Sequence, residues 1–134
     1  MSLPPVSVLL VAHPGLGEGL LQAAGGILGV SPPVDLLSNA GLSAETLEAR
    51  VNAWLGAHPG PALLLVDFGP GSCGQVARRA ARRHPEAAVV TGVNLPLLLA
   101  LLRPAPGRDV RDLLEHVAAR GREAVQVFPP GAAE

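Results

Sequence analysis

The sequence predicts an open α/β fold: a mostly parallel four-stranded sheet with helices on both faces, plus a further strand near the C-terminus. Three observations carry that prediction. Four short segments are continuously apolar rather than alternating, as strands buried on both faces are. The stretches between them carry apolar residues at helical spacing. The two kinds of segment alternate strictly along 134 residues, about the length of one domain, and right-handed crossovers turn such alternation into a parallel sheet.

The first strand is predicted over 6–12, where Val8, Leu9, Leu10 and Val11 run without a polar break. A helix over 17–28 follows, with Leu20, Leu21, Ala24, Ile27 and Leu28 on one face. A second strand falls at 34–37. The helix after it, over 43–54, opens on Ser43 as N-cap and repeats Leu47, Val51 and Trp54. Ala62–Val66 makes the third strand, and a helix over 74–83 sets Val76, Ala77, Ala80 and Ala81 against an outer face of Arg78, Arg79, Arg82 and Arg83. Ala87–Thr91 is the fourth strand. Leu95–Leu102 reads as a short buried helix stopped by the Pro/Gly stretch 103–107. Asp109 caps a helix to about Arg120, and 124–128 reads as a last strand.

Composition narrows the function classes. The chain is 49% apolar and 16% charged, which excludes a disordered tail, and its net charge of −1 gives no pull toward nucleic acid or an anionic membrane. One cysteine, Cys73, excludes an internal disulfide framework and makes a cytoplasmic setting the default. The N-terminus lacks the pattern of a secretory leader, and apolar runs fall short of the ~20 residues of a membrane span. The expectation is one cytoplasmic domain with an ordered core over about 5–128, no nucleic-acid partner and no direct membrane insertion.

In open parallel sheets the functional crevice lies beyond the carboxyl ends of the strands, where strand order reverses. The loops after the first and third strands are therefore the ones to inspect. They read Ala12-His13-Pro14-Gly15-Leu16-Gly17-Glu18-Gly19 and Asp67-Phe68-Gly69-Pro70-Gly71-Ser72-Cys73-Gly74, each with one titratable residue at the strand end. An imidazole placed there can be a metal ligand, a general base or a nucleophile. If the two strands are neighbours, Asp67 can accept a hydrogen bond from one ring nitrogen of His13 and leave the other as a nucleophile. The flanking glycines and helix starts suit a phosphoryl group, with Ser72 as an added donor. Such a cradle suffices for a phosphoryl carrier. A kinase needs nucleotide and metal sites, and neither a Walker A pattern nor a metal-spaced cluster is present, so no cofactor and no metal are expected. His58, His84 and His116 fall near helix ends or outer faces and read as structural or exposed. The arginines at 78–83 read as a solvated face, and Cys73 as incidental to the site.

Four segments then match a known family in its own order. Val8-Leu9-Leu10-Val11-Ala12-His13-Pro14-Gly15-Leu16-Gly17-Glu18-Gly19-Leu20 resembles the first strand, active histidine and opening helix of the enzyme IIA domains of mannose-family sugar phosphotransferase systems. Leu64-Leu65-Val66-Asp67-Phe68-Gly69-Pro70-Gly71-Ser72 resembles the family's strand, aspartate and Gly-Ser loop. Gly92-Val93-Asn94-Leu95-Pro96-Leu97-Leu98 is similar to its Gly-Val-Asn signature, and Arg120-Gly121-Arg122-Glu123-Ala124-Val125 to its last helix-to-strand junction. The resemblance implies that His13 accepts a phosphoryl group from the carrier protein HPr and passes it to an enzyme IIB partner, serving sugar uptake. It further implies that Asp67 orients the ring and that Ser72 lies beside the phosphoryl group. It also implies a homodimer in which strand 124–128 is exchanged, and association with membrane transporter subunits. Pro70-Gly71-Ser72-Cys73-Gly74-Gln75 departs from the family's usual Gly-Gly-Ser-Pro loop, which leaves the IIB partner open. Three alternatives share the same residues: a regulatory module switched by phosphorylation of His13, the phosphoryl-carrier subunit of a dihydroxyacetone kinase, and a hydrolase using Ser72, His13 and Asp67. The last lacks the Gly-x-Ser-x-Gly elbow.

Overall fold

Leu10, Val11 and Leu63 through Val66 are completely withdrawn from solvent, because the two strands that carry them are covered on both faces. The computed structural model describes residues 6–103 and 109–131. Its strands are β1 (Ser7–Ala12), β2 (Asp35–Ser38), β3 (Ala62–Val66) and β4 (Ala87–Thr91). Its helices are α1 (Leu16–Leu28), α2 (Ala44–Ala57), α3 (Ser72–Ala81), α4 (Leu95–Leu102) and α5 (Val110–Glu123). The sheet order is β2-β1-β3-β4 with every pairing parallel. Ser7 is paired with Ala62 and Val11 with Val66, so β1 and β3 end level with each other. Chain order reverses between these two strands, and the crevice of an open sheet opens there.

Strand alternation sorts the core into two layers. Val8, Leu10, Ala12, Leu63 and Leu65 point to one face, under α1, α4 and α5, where Ala24, Leu98, Leu101, Leu102, Leu113 and Val117 meet them. Leu9, Val11, Ala62, Leu64 and Val66 point to the other, under α2 and α3, against Leu47, Val51, Leu55, Cys73, Val76, Ala77 and Ala80. Each such leucine or valine, fully buried, contributes about 1.5–3 kcal/mol.

The helices start where local chemistry allows. The Ser43 hydroxyl accepts from Thr46 N–H at 3.1 Å, and Asp109 accepts from Asp112 N–H at 2.8 Å, as their N-cap roles predict. Gly92, at φ 76°, turns the chain out of β4. Val93 N–H returns to the Val66 carbonyl at 3.0 Å, and Asn94 caps α4 by accepting from Leu97 N–H at 2.9 Å. The Asn94 amide also donates to the Gly121 carbonyl at 3.0 Å, where α5 passes so close to Leu97 that a β-carbon on Gly121 would lie 3.2 Å from it. The Gly-Val-Asn signature thus joins two helices to the sheet.

Trp54 packs on the second layer. Its indole N–H donates to Asp35 at 2.8 Å, and its ring stacks on His58 at 4.2 Å. The strands and helices fall within a few residues of their expected bounds, except that the last expected strand is not formed within the single chain. Residues 124–128 follow α5 without joining the chain's own sheet, and no strand is assigned to them. The alternation Val125-Gln126-Val127-Phe128 is strand-like, but a strand exists only with a hydrogen-bonding partner, and Val125 and Val127 are 77% and 85% exposed. The Pro/Gly stop predicted after α4 falls at 104–107, outside the described residues, as do residue 5 of the expected core and the last three residues.

Candidate functional site

Ala12 ends β1 with its side chain in the core, so the next residue, His13, is the first free to leave the sheet at its carboxyl edge. Val66 ends β3 in register with Val11, and Asp67 follows it. Strand adjacency therefore brings together two residues 54 positions apart. The His13 Nδ1 lies 2.7 Å from Asp67 Oδ2, and His13 N–H donates to the same oxygen at 2.9 Å. The second carboxylate oxygen, Oδ1, accepts from Phe68 N–H at 2.8 Å.

The two partners differ in exposure. The Asp67 side chain is only 3% exposed and the His13 side chain 46%. Burial alone would raise the Asp67 pKa, but the His13 amide, the His13 ring and the Phe68 amide outweigh it and hold the carboxyl below its ordinary value of 3.8. Asp67 is therefore a carboxylate at neutral pH, which accepts and cannot donate. In the neutral ring, Nδ1 then carries the proton of His13 and Nε2 the lone pair. Among the described residues nothing hydrogen-bonds Nε2.

Two helix starts flank the ring. Gly15, at φ 83°, caps α1 in a conformation that favours glycine, and the Glu18 carboxylate reaches back to Gly15 N–H at 3.2 Å. In α3 the first backbone bond runs from Gln75 N–H to the Gly71 carbonyl at 3.0 Å, so the amides of Ser72, Cys73 and Gly74 have no intrahelical acceptor. These donors, with the positive end of α3, favour an anion. A β-carbon on Gly71 would stand 3.7 Å from His13 Cε1, which places the start of α3 against the imidazole. Gly74 is held for a different reason: a β-carbon there would lie 2.6 Å from the Gly69 carbonyl carbon and overlap its oxygen. The same carbonyl accepts from Arg78 at 2.9 Å, which fixes the loop from the solvent side.

Ser72, the third residue expected here, opens α3 and is exposed. Its Oγ lies 3.5 Å from the Asn39 side-chain nitrogen. Asn39 is not among the residues expected here, although it too is a polar residue just beyond the carboxyl end of a strand, as His13 and Asp67 are. His13, Asp67 and Cys73 place potential ligand atoms within 4.8 Å of one another. Cys73 is a poor ligand, however. It is completely buried, and burial, followed by the nearby Asp67 charge, pushes its thiol up to about 11. A metal would also have to displace the proton shared by His13 and Asp67.

The arrangement is an imidazole held through Nδ1 by a buried carboxylate, beside a helix start whose first amides have no intrahelical acceptor. The model of the EIIA-man family, described as the phosphotransferase system fructose IIA component, matches residues 7–118. The chain belongs to this family. Its fold is that of solved IIA proteins. The mannose/sorbose-specific IIA subunit of the phosphotransferase system from Enterococcus faecalis is 24% identical, with a TM-score of 0.78 over 96% of this chain and 98% of that one. The phosphotransferase system component EIIA from Streptococcus agalactiae is 21% identical, with a TM-score of 0.82 over 92% and 97%. The same fold occurs in a sigma-54 interaction domain protein from Enterococcus faecalis, at 17% identity and a TM-score of 0.72 over 91% and 94%. No curated protein sequence matches this chain significantly. Among the described residues no helix is long and apolar enough to cross a membrane.

Proposed function

We propose that this phosphotransferase system IIA component is a phosphoryl carrier, which accepts a phosphoryl group from HPr on His13 and passes it to an enzyme IIB partner. The observation that carries this reading is the 2.7 Å bond between His13 Nδ1 and buried Asp67, which leaves Nε2 as the ring's nucleophile. The Nε2 lone pair attacks phosphorus, an Nε2–P bond forms, and the P–N bond to the donor's histidine breaks, with its electron pair returning to the donor's ring. Positive charge develops on the His13 ring and is balanced by the Asp67 carboxylate through the Nδ1 proton. The phosphoryl oxygens meet the free amides of Ser72, Cys73 and Gly74 and the Ser72 hydroxyl. Transfer to the IIB partner is the same displacement with His13 as leaving group. Phe68 and Leu16, exposed at 58% and 47% and close in sequence to the two site residues, offer apolar contact to protein partners.

Residues 124–128 of one copy are proposed to pair with the open edge of β4 in a second copy, making a homodimer. Removal of 124–134 is then expected to give a monomer by light scattering; a truncated chain that remains dimeric contradicts the exchange. The carrier reading is tested by incubating the chain with phosphoenolpyruvate, enzyme I and HPr, then adding a IIB domain. Acid-labile phosphate that appears on wild type, is absent from His13→Ala and moves to IIB supports carriage. Phosphate that stays on the chain points to a regulatory module, and none on wild type refutes phosphorylation.

A further inference from the structure

We propose that Asn39 is a positioning residue for transfer at His13: its side-chain amide holds the Ser72 hydroxyl so that the hydroxyl proton is free for a phosphoryl oxygen. The proposal rests on the reading of His13 as phosphoryl acceptor.

Asn39 stands just beyond β2, and its backbone is fixed in two directions. Its N–H donates to the Ala12 carbonyl at 3.1 Å, one residue before His13, and its carbonyl accepts from Leu42 N–H at 3.1 Å. Gly41, at φ 68°, makes that turn possible. The half-buried side chain is thereby aimed from β2 across the end of β1 toward the start of α3, where Nδ2 stands 3.5 Å from Ser72 Oγ. Residues that follow three different strands, His13, Asn39 and Asp67, thus converge with Ser72 on one crevice.

The chemistry of the pair has a direction. A hydroxyl has one proton to give and two lone pairs to accept with, whereas an amide nitrogen only donates. With Asn39 on a lone pair of Oγ, the hydroxyl proton turns elsewhere. Its neighbour within the protein is the Cys73 thiol, a weak acceptor whose own proton is held by burial. A phosphoryl group on Nε2 offers three strong acceptor oxygens and outcompetes the thiol for that proton. The 3.5 Å contact is long in the free protein and is expected to shorten when the hydroxyl is engaged. Aspartate at position 39 would do the reverse: it would accept the Ser72 proton and add a negative charge facing the phosphoryl oxygens.

The test measures transfer from phosphorylated HPr to the full-length chain for wild type, Asn39→Ala, Asn39→Asp, Ser72→Ala and the Asn39→Ala/Ser72→Ala pair, with a thermal melt of each. Asn39→Ala and Ser72→Ala are each expected to slow kcat by about tenfold with KM for the donor unchanged, the effect of losing one hydrogen bond to a charged group. The double variant is expected to be no slower than Ser72→Ala, because Asn39 acts through that hydroxyl. Asn39→Asp, which keeps the shape, is expected to be slower than Asn39→Ala and carries the test if the alanine variant melts early. Losses that multiply in the double variant, or Asn39→Asp at the wild-type rate, overturn the role of Asn39 while leaving the carrier reading intact. A wild-type chain that takes no phosphate overturns both.

Discussion

Replacing Asp67 by asparagine keeps the shape of the side chain and removes one charge and one acceptor. In the native site Oδ2 accepts from His13 N–H and Nδ1–H at 2.9 and 2.7 Å, and Oδ1 accepts from Phe68 N–H at 2.8 Å. Asparagine has a single acceptor oxygen. If it faces His13, the new NH2 confronts Phe68 N–H. If it faces Phe68, the NH2 confronts His13 and selects the tautomer whose Nδ1, not Nε2, bears the lone pair. A hydrogen bond to a charged group contributes about 1.5–3 kcal/mol and a neutral one about 0.5–1.5 kcal/mol. Exchanging one for the other at Nδ1 therefore costs roughly 1–2 kcal/mol. Losing the counter-charge to the developing imidazolium brings the total to roughly 2–4 kcal/mol, a fall in transfer rate of about 30- to 1000-fold. The assay is single-turnover transfer from phosphorylated HPr, with circular dichroism to confirm the fold. A folded Asp67→Asn chain within about threefold of wild type would refute the argument that the carboxylate sets the tautomer and supports the charge.

Four further outcomes are expected. Because the Asp67 pKa in the fold lies below its ordinary value of 3.8, its stabilisation is present above that value and is lost as pH falls through the lower, folded one. Asp67→Asn should therefore lack part of the wild type's acid destabilisation in urea melts taken from neutral pH downward. Gly74→Ala drives a β-carbon into the Gly69 backbone, which cannot step aside as a side chain could; a loss of about 1–3 kcal/mol in denaturant unfolding is expected, together with slowed transfer. Asn94→Ala removes the α4 cap and the bond to Gly121, so the midpoint of unfolding should drop by about 1–2 kcal/mol worth of stability while the rate of His13 phosphorylation holds. The Cys73 thiol, buried and pushed up to about 11, should react with a thiol reagent at pH 8 only after denaturation.

The scaffold was legible because its strands are buried on both sides. Leu9-Leu10-Val11 and Leu63-Leu64-Leu65-Val66 have no polar residue to hide, and that continuity marks a parallel sheet. The meeting of the candidate site residues was legible for a related reason: His13 and Asp67 are the first titratable residues after those two runs, and strand order places the runs side by side. Less was legible where a residue's partner lies far off in sequence. Asn39 looks like any turn residue until β2 is laid against β1, and the role of Asn94 shows only when α5 is packed against α4. The alternation at 124–128 announced a strand, but pairing is a property of two strands, and this segment pairs with none in the chain's own sheet. The Gly-Val-Asn segment, the most distinctive in the sequence, proved to join helices to the sheet.

In the proposed transfer, Asp67 holds the proton on Nδ1 and leaves Nε2 of His13 to take the phosphoryl group. Phosphorus–nitrogen coupling in NMR of the 15N-histidine-labelled, phosphorylated chain tests it directly, since it names the bonded nitrogen. The expected result is a single phosphohistidine, at His13, bonded through Nε2. Phosphate bonded through Nδ1, or carried by His58, His84 or His116, would contradict it.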